Sequence, residues 1–177
     1  MRIIAGDFRG HVLRTSPGLC TRPTTSRVRE AMFGLVEARM SLHGAHVLDL
    51  FAGSGALALE ALSRGAAYAT LVEANADVLH AARDNGTALG VDGRCRFLRA
   101  DVLTYLKRYR EDPVDLIMAD PPYDLASVIT LPELALKRVR SGGLLVLEHS
   151  RHFSFDTCSS LDTTRVYGRT RISVFKA

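Results

Sequence analysis

The 177-residue chain is predicted to be an α/β protein with a mostly parallel sheet and helices on both faces. Three observations carry this expectation. Short apolar β-type runs recur at Val47–Leu50, Tyr68–Glu73, Cys95–Arg99, Val114–Ala119 and Leu144–Glu148. The segments between them repeat their apolar residues at helical spacing, as crossover helices between parallel strands do. Finally, 47% hydrophobic residues suffice for one full-sized core with at most a small appendage.

The appendage comes first. Arg2 to Ala5 and Gly10 to Arg14 are β-type runs separated by the turn residues Asp7-Phe8-Arg9-Gly10, so a β-hairpin extension is expected over residues 1–20. Ser16-Pro17-Gly18 breaks the chain between it and the main domain, expected over 21–177. A two-stranded ribbon is marginally stable alone, so it must lean on the domain or on a partner. The hydroxyls of Thr24, Thr25 and Ser26 can cap a helix, after which Val28, Met32, Leu35, Val36 and Met40 recur at helical spacing.

The main domain is organised around His46 to Leu57. Val47 to Leu50 is cut off by Gly53 and Gly55, and an alanine- and leucine-rich helix follows. Strand, tight turn and helix N-terminus predict a ligand across the carboxyl end of a central strand. Glycine belongs in such a turn because a residue without Cβ accepts positive φ and close approach to a ligand. A second helix spans Ala76 to Leu89 and stops at Gly90, and a third spans Val102 to about Tyr109. A helix from about Ser127 to Val139 leads through Gly142-Gly143 into the Leu144–Glu148 strand, and Thr164–Tyr167 with Arg171–Lys176 reads as a closing hairpin.

Charge and composition narrow the function. The net charge is +4, and all of the surplus sits in residues 1–40, where seven arginines face Asp7, Glu30 and Glu37. Arginine in excess of lysine suits phosphate recognition through its planar fork, or an ordinary solvated surface. Cys20, Cys95 and Cys158 are odd in number and far apart, and the six histidines are scattered, so neither a disulfide framework nor a metal site is indicated. No apolar run approaches the roughly 20 residues of a membrane span, and a cytosolic protein is expected.

Gly53-Ser54-Gly55-Ala56-Leu57-Ala58 satisfies the dinucleotide pattern G-x-G-x-x-A, with Glu73 about twenty residues on as a ribose-binding acid. Asp49 beside this turn would repel a pyrophosphate and attract the ammonium of an amino acid. Asp101, after the third strand, is placed to accept a hydrogen bond from an adenine amino group. No Gly-Lys-Ser/Thr follows, which removes a phosphate-binding P-loop. A ligand with adenine, a ribose diol and a cationic amino-acid end is S-adenosyl-L-methionine.

Asp120-Pro121-Pro122-Tyr123 ends the fourth strand at the same edge. The prolines remove two donors and stiffen the chain, directing the carbonyls of Asp120 and Pro121. The Asp120 carboxylate and one such carbonyl can accept both hydrogens of an exocyclic NH2 while Tyr123 stacks on the base. An aromatic amine is a poor nucleophile because its lone pair is delocalised. Holding both N–H bonds favours a pyramidal nitrogen aimed at a methyl donor. A bare strand-terminal turn is the plain alternative.

Taken together, Arg2-Ile-Ile-Ala-Gly6, Arg22-Pro-Thr-Thr-Ser-Arg-Val-Arg-Glu30, Asp49 to Gly55, Leu57 to Arg64 and Asp120 to Tyr123 resemble the RsmD family of bacterial 16S rRNA (guanine-N2)-methyltransferases. The resemblance covers nearly the whole chain, and its family-specific part is Arg22 to Glu30. It implies a seven-stranded class I methyltransferase domain behind a hairpin that engages ribosomal RNA. Carried over by motif, Asp49, Phe51, Ala52, Gly53, Ser54 and Gly55 line the methionine and ribose. Glu73 with Ala74 holds the ribose, Asp101 and Val102 read the adenine, and Asp120 to Tyr123 grip the guanine. Arg2, Arg9, Arg14, Arg22 and Arg27 are the candidate RNA contacts. The expected partner is 16S rRNA or the small ribosomal subunit, with no metal, no membrane and a monomeric enzyme. N6-adenine methylation, which Asp-Pro-Pro-Tyr also serves, and non-catalytic RNA or nucleotide binding are the alternatives.

Overall fold

The computed structural model describes residues 1–15, 25–122 and 125–177. Strands β1 (His46–Leu50), β2 (Tyr68–Glu73), β3 (Cys95–Arg99), β4 (Val114–Ala119) and β5 (Val139–Ser150) run parallel. Strand β7 (Thr170–Lys176) lies antiparallel between β5 and β6 (Leu161–Tyr167). Among the described residues these make one sheet in the order β3-β2-β1-β4-β5-β7-β6. The winding direction reverses between β1 and β4, which places the ligand crevice at their carboxyl ends.

Alternation along the strands sorts the core into two layers. Val47, Leu71, Met118 and Val146 face helices α1 (Ser26–Glu37), α2 (Ala56–Ser63) and α3 (Ala76–Ala88). Leu48, Leu50, Ile117, Leu145 and Leu147 face α4 (Val102–Arg108) and α5 (Leu131–Leu136). Each such side chain contributes about 1.5–3 kcal/mol by burial, so a one-residue slip of β1, which would exchange its two faces, is strongly disfavoured. Asp49 lies between Leu48 and Leu50 and therefore belongs to the α1–α3 side.

Helix starts follow their caps. Thr25 Oγ1 accepts from Val28 N at 3.3 Å, and the Asn75 side chain accepts from Asp77 N and Val78 N. Gly55, with φ of 83°, precedes α2 without a side-chain cap. A Cβ there would lie 3.1 Å from Leu71 Cδ2 and 3.3 Å from Ala82 Cβ, so α2 and α3 approach the sheet this closely only because the position is glycine.

Three expectations need correction. The helix expected over 127–139 is a 3-10 turn, Ala126–Thr130, followed by α5, because Pro132 lacks an N–H and fits only the first turn of a helix. Strand β5 begins at Val139, before Gly142-Gly143, and a register shift between Val114 and Leu116 accommodates that stretch. The N-terminal hairpin carries one bridge, Arg2 to Val12, in place of two full strands.

Four backbone donors in the first arm and turn of that hairpin go to the domain, while Ile3 N, Gly10 N and Leu13 N bond across the hairpin itself. Ile4 N and Ala5 N donate to the two Glu60 carboxylate oxygens at 2.8 and 3.0 Å, and Phe8 N donates to Ser63 Oγ at 3.0 Å. Asp7 N donates to the Ser63 carbonyl at 2.9 Å. A Cβ on Gly6 would fall 1.8 Å from that carbonyl oxygen. Glu60, wholly buried on α2, also accepts from Arg64 Nε at 3.0 Å and stands 3.6 Å from Nε of the wholly buried Arg29, which donates to the Arg2 carbonyl. Burial holds the Arg29 guanidinium below its ordinary pKa, and the adjacent Glu60 carboxylate opposes that shift.

Removing Glu60 would leave the buried Arg29 guanidinium without its counter-charge and two amides without their acceptor. Glu60→Ala is expected to cost about 3–5 kcal/mol in urea denaturation and to open the hairpin to protease. A loss under about 1 kcal/mol with unchanged cleavage would show that the hairpin is held by other contacts.

Candidate active site

The chain leaves β1 through a turn that few side chains tolerate. Phe51 has φ of 63°, the one non-glycine of positive φ among the described residues, followed by Gly53 at 57° and Gly55 at 83°. A bulky residue held there costs on the order of 1–2 kcal/mol, a strain characteristic of ligand-binding turns. Ala52 N donates to the Val72 carbonyl at 3.0 Å, and Gly55 N to the Ala52 carbonyl at 2.8 Å, which closes the turn.

The side chain that anchors it is Asp49, whose Oδ2 accepts from Ala58 N in the first turn of α2 at 3.0 Å. Asp49 is wholly buried, and its other oxygen, Oδ1, has no hydrogen-bond partner. Burial pushes its pKa up to about 8, against the lowering effect of the Ala58 amide; the nearby Asp120 and Glu73 charges add to the rise. A cation brought to Oδ1 would relieve this penalty.

Glu73 ends β2 and reaches into the turn. Its Oε2 accepts from Gly53 N at 3.1 Å and its Oε1 from Asn75 N at 2.9 Å, so it positions the loop. Ala74, next to it, is exposed, and its carbonyl accepts from Arg99 Nε at 3.4 Å. Asp101 caps α4, with Oδ1 accepting from Thr104 N at 2.8 Å, and these Thr104 hydrogen bonds hold its pKa below the ordinary carboxylate value. Val102 behind it is buried. The Pro122 carbonyl accepts from Leu125 N at 3.0 Å, which turns the chain back after Asp120-Pro121-Pro122. Given the strand order, the acids line one edge in the sequence Asp101, Glu73, Asp49, Asp120.

The arginines form a separate group. Arg2, Arg9, Arg14 and Arg27 are all exposed, with Arg2 Nη1 donating to the Gly10 carbonyl at 3.0 Å. Arg22 and Tyr123 lie outside the described residues.

Sequence reasoning missed Asn85. It is buried in α3, where its amide bonds both the Arg14 backbone and the Ser54 carbonyl of the glycine turn. The signal was an asparagine three residues after Ala82 on an otherwise apolar helix face. A second polar pair is not a site: His149 Nε2 lies 2.8 Å from Ser173 Oγ, the spacing of a nucleophile and its base. Both are buried, Thr164 Oγ1 bonds Ser173, and burial lowers the histidine pKa, so the network packs β5 to β7. Among the described residues no group of three metal-ligating side chains is assembled, and no helix is long and apolar enough to cross a membrane.

Comparison with known proteins adds to this geometry. The family model described as Conserved hypothetical protein 95 matches residues 1–176. YlbH of Bacillus subtilis is 32% identical over 184 residues, which span 99% of this chain and 98% of that protein. "Ribosomal RNA small subunit methyltransferase D" of Escherichia coli is 42% identical over 125 residues, covering 70% of this chain and 60% of that protein. Among solved structures, Thermus thermophilus protein TTHA0928 superposes with a TM-score of 0.86 at 29% identity, covering 100% of this chain and 99% of its own. Escherichia coli yhhF gives 0.81 at 31% identity, over 99% and 97%.

The raised pKa of Asp49 has a measurable sign. An unfolded aspartate titrates near ~3.9, so between that value and about 8 the folded chain holds a proton that the unfolded chain has released. The Asp49 contribution therefore falls as pH rises through this window. Asp49→Asn should gain stability over the native chain by a few kcal/mol on going from about pH 5 to about pH 9, read from melting curves. Parallel curves would mean that Asp49 ionises normally.

Proposed function

This chain belongs to the Conserved hypothetical protein 95 family, the RsmD-like methyltransferases with a class I Rossmann-like fold, and on that premise we propose that it methylates the exocyclic N2 of a guanine in 16S rRNA. The observation that carries this reading is the gathering of Asp49, Glu73 and Asp120 at the β1/β4 reversal, with Glu73 and Asp120 both close enough for their charges to act on the buried Asp49. One end of the crevice suits a cationic methyl donor and the other an aromatic amine.

S-adenosyl-L-methionine fits the residues present. The buried, unpartnered Asp49 Oδ1 suits its ammonium, Phe51 to Gly55 supply a backbone that can approach it, and Glu73 offers remaining lone pairs to a ribose diol. Asp101, whose Oδ1 caps α4, offers its remaining lone pairs to an adenine amino group. When bound, this cofactor supplies an electrophilic methyl group. Asp120 and the Pro121 carbonyl hold the two N–H bonds of the amine, Tyr123 stacks on the base, and Asp120 takes the released proton or passes it to water. The hairpin arginines and Arg27 hold RNA phosphates while the pocket chooses the base. The target base must be unpaired or flipped out of its stack to reach this edge.

The relative named for small-subunit rRNA supports the substrate class, and the family resemblance supports guanine N2. The acting species is read as a cytoplasmic monomer working on naked rRNA or the assembled small subunit. Nucleoside analysis of both substrates after incubation with S-adenosylmethionine should reveal N2-methylguanosine. N6-methyladenosine in its place would overturn the choice of base.

Two outcomes test the assigned roles. Asp120→Ala is expected to lower methyl transfer at least ~100-fold while S-adenosylhomocysteine still binds by calorimetry; full activity would leave the tetrapeptide only a turn. Replacing Arg2, Arg9 and Arg14 together should weaken RNA binding and flatten the slope of log affinity against log salt by about 2, from roughly 0.7 per phosphate contact. An unchanged slope would make these arginines ordinary surface.

A further inference from the structure

Asn85 joins the two functional halves of the molecule. Its Oδ1 accepts from Arg14 N at 2.8 Å, and its Nδ2 donates to the Arg14 carbonyl at 2.9 Å and to the Ser54 carbonyl at 2.9 Å. The amide orientation is chemically determined, since both carbonyls require the NH2 group and the Arg14 N–H requires the oxygen. The side chain thus treats Arg14 as a neighbouring strand would, while its second N–H pins the glycine turn. At 3% exposure it has no water to replace either partner.

The hairpin that leads to Arg14 has a single bridge, between Arg2 and Val12, and a two-stranded ribbon of this kind is marginal without the domain. Arg14, at its far end, takes its backbone position from Asn85. The glycine turn takes part of its conformation from the same amide, at the residue between Gly53 and Gly55.

We propose that Asn85 is a positioning residue that couples the arginine-bearing extension to the cofactor turn, so that docking of RNA on the extension and binding of the methyl donor strengthen one another. The inference rests on the function proposed above. Its physical basis is that one buried amide must satisfy both partners at once. A ligand that holds Ser54 in place holds Asn85 in the rotamer that Arg14 requires, and the reverse follows by linkage. The extension, docked or released, is the two-state element that both ligands bias.

The test is a binding cycle with S-adenosylhomocysteine and a 16S rRNA transcript, each titrated with and without the other. The native chain should bind either probe about tenfold more tightly in the presence of the second. Asn85→Asp keeps the acceptor for Arg14 N but sets a carboxylate oxygen against the Ser54 carbonyl, and should bring both ratios close to one. A native chain without coupling, or a folded variant that retains it, overturns the inference. A second measurement needs no variant: hydrogen exchange at the Arg14 amide of the native chain should slow when S-adenosylhomocysteine is added. Exchange that stays unchanged with S-adenosylhomocysteine bound overturns the coupling alone. Failure of the native chain to bind S-adenosylhomocysteine overturns the coupling together with the function on which it rests.

Discussion

A carboxylate buried where β1 becomes α2 governs the site. Asp49 sits on the strand face that carries α1 to α3, and its Oδ2 is bonded to the Ala58 amide in the first turn of α2. Gly55 has no side chain with which to cap that helix, so the strand itself supplies the acceptor. The bond forces the chain to reverse within a few residues, and the left-handed angles of Phe51, Gly53 and Gly55 are the result. A charge near a helix N-terminus is normally favoured, yet desolvation outweighs that benefit here and leaves Asp49 protonated over much of the neutral range. The fold thus keeps at its centre an acid that is more comfortable beside a cation than alone.

A second buried charge arrangement attaches the extension. Glu60 gathers two backbone amides, Arg64 and Arg29 in one dry place. Two Arg29 nitrogens, Nε and Nη1, make no hydrogen bond, so the cluster is incompletely satisfied and derives its value from what it positions. Arg64 extends the same network outward to Glu37 at 2.9 Å and over the Phe33 ring at 4.7 Å, which links α1, α2 and the hairpin. The surface that presents Arg2, Arg9 and Arg14 is in this way continuous with the helix layer beneath the glycine turn.

Much of this was legible in the sequence. Tyr68–Glu73, Cys95–Arg99 and Val114–Ala119 are read to the residue because each is a short β-type run bounded by polar, proline or loop residues, although only the two central ones are largely buried and Cys95–Arg99 is a half-exposed edge strand. The acids at those ends follow directly, since the carboxyl edge of such a sheet collects its ligand groups. What escaped depends on long-range partners. Nothing local to Ile4 and Ala5 says that their amides bond Glu60 and leave the hairpin short of a ladder. Nothing local to Arg29, which has the look of a solvated helical cation, says that it is wholly buried. Asn85 is of the same kind, a polar residue whose meaning depends on two segments far away in the chain.

The way the extension is held also determines when it can form. Ile4, Ala5 and Arg14 find their partners 55 to 71 residues further along, on helices that the ribosome makes later. With one bridge of its own the hairpin is not a nucleus, and loop closure over such distances must wait for α2 and α3 to settle on the sheet. The segment synthesised ahead of its supports is therefore among the last to become ordered. During that interval its arginines are tethered to a growing chain beside the ribosomal RNA that is making it, and although they stay exposed in the folded chain, their spacing is fixed only when Asn85 has been translated and buried.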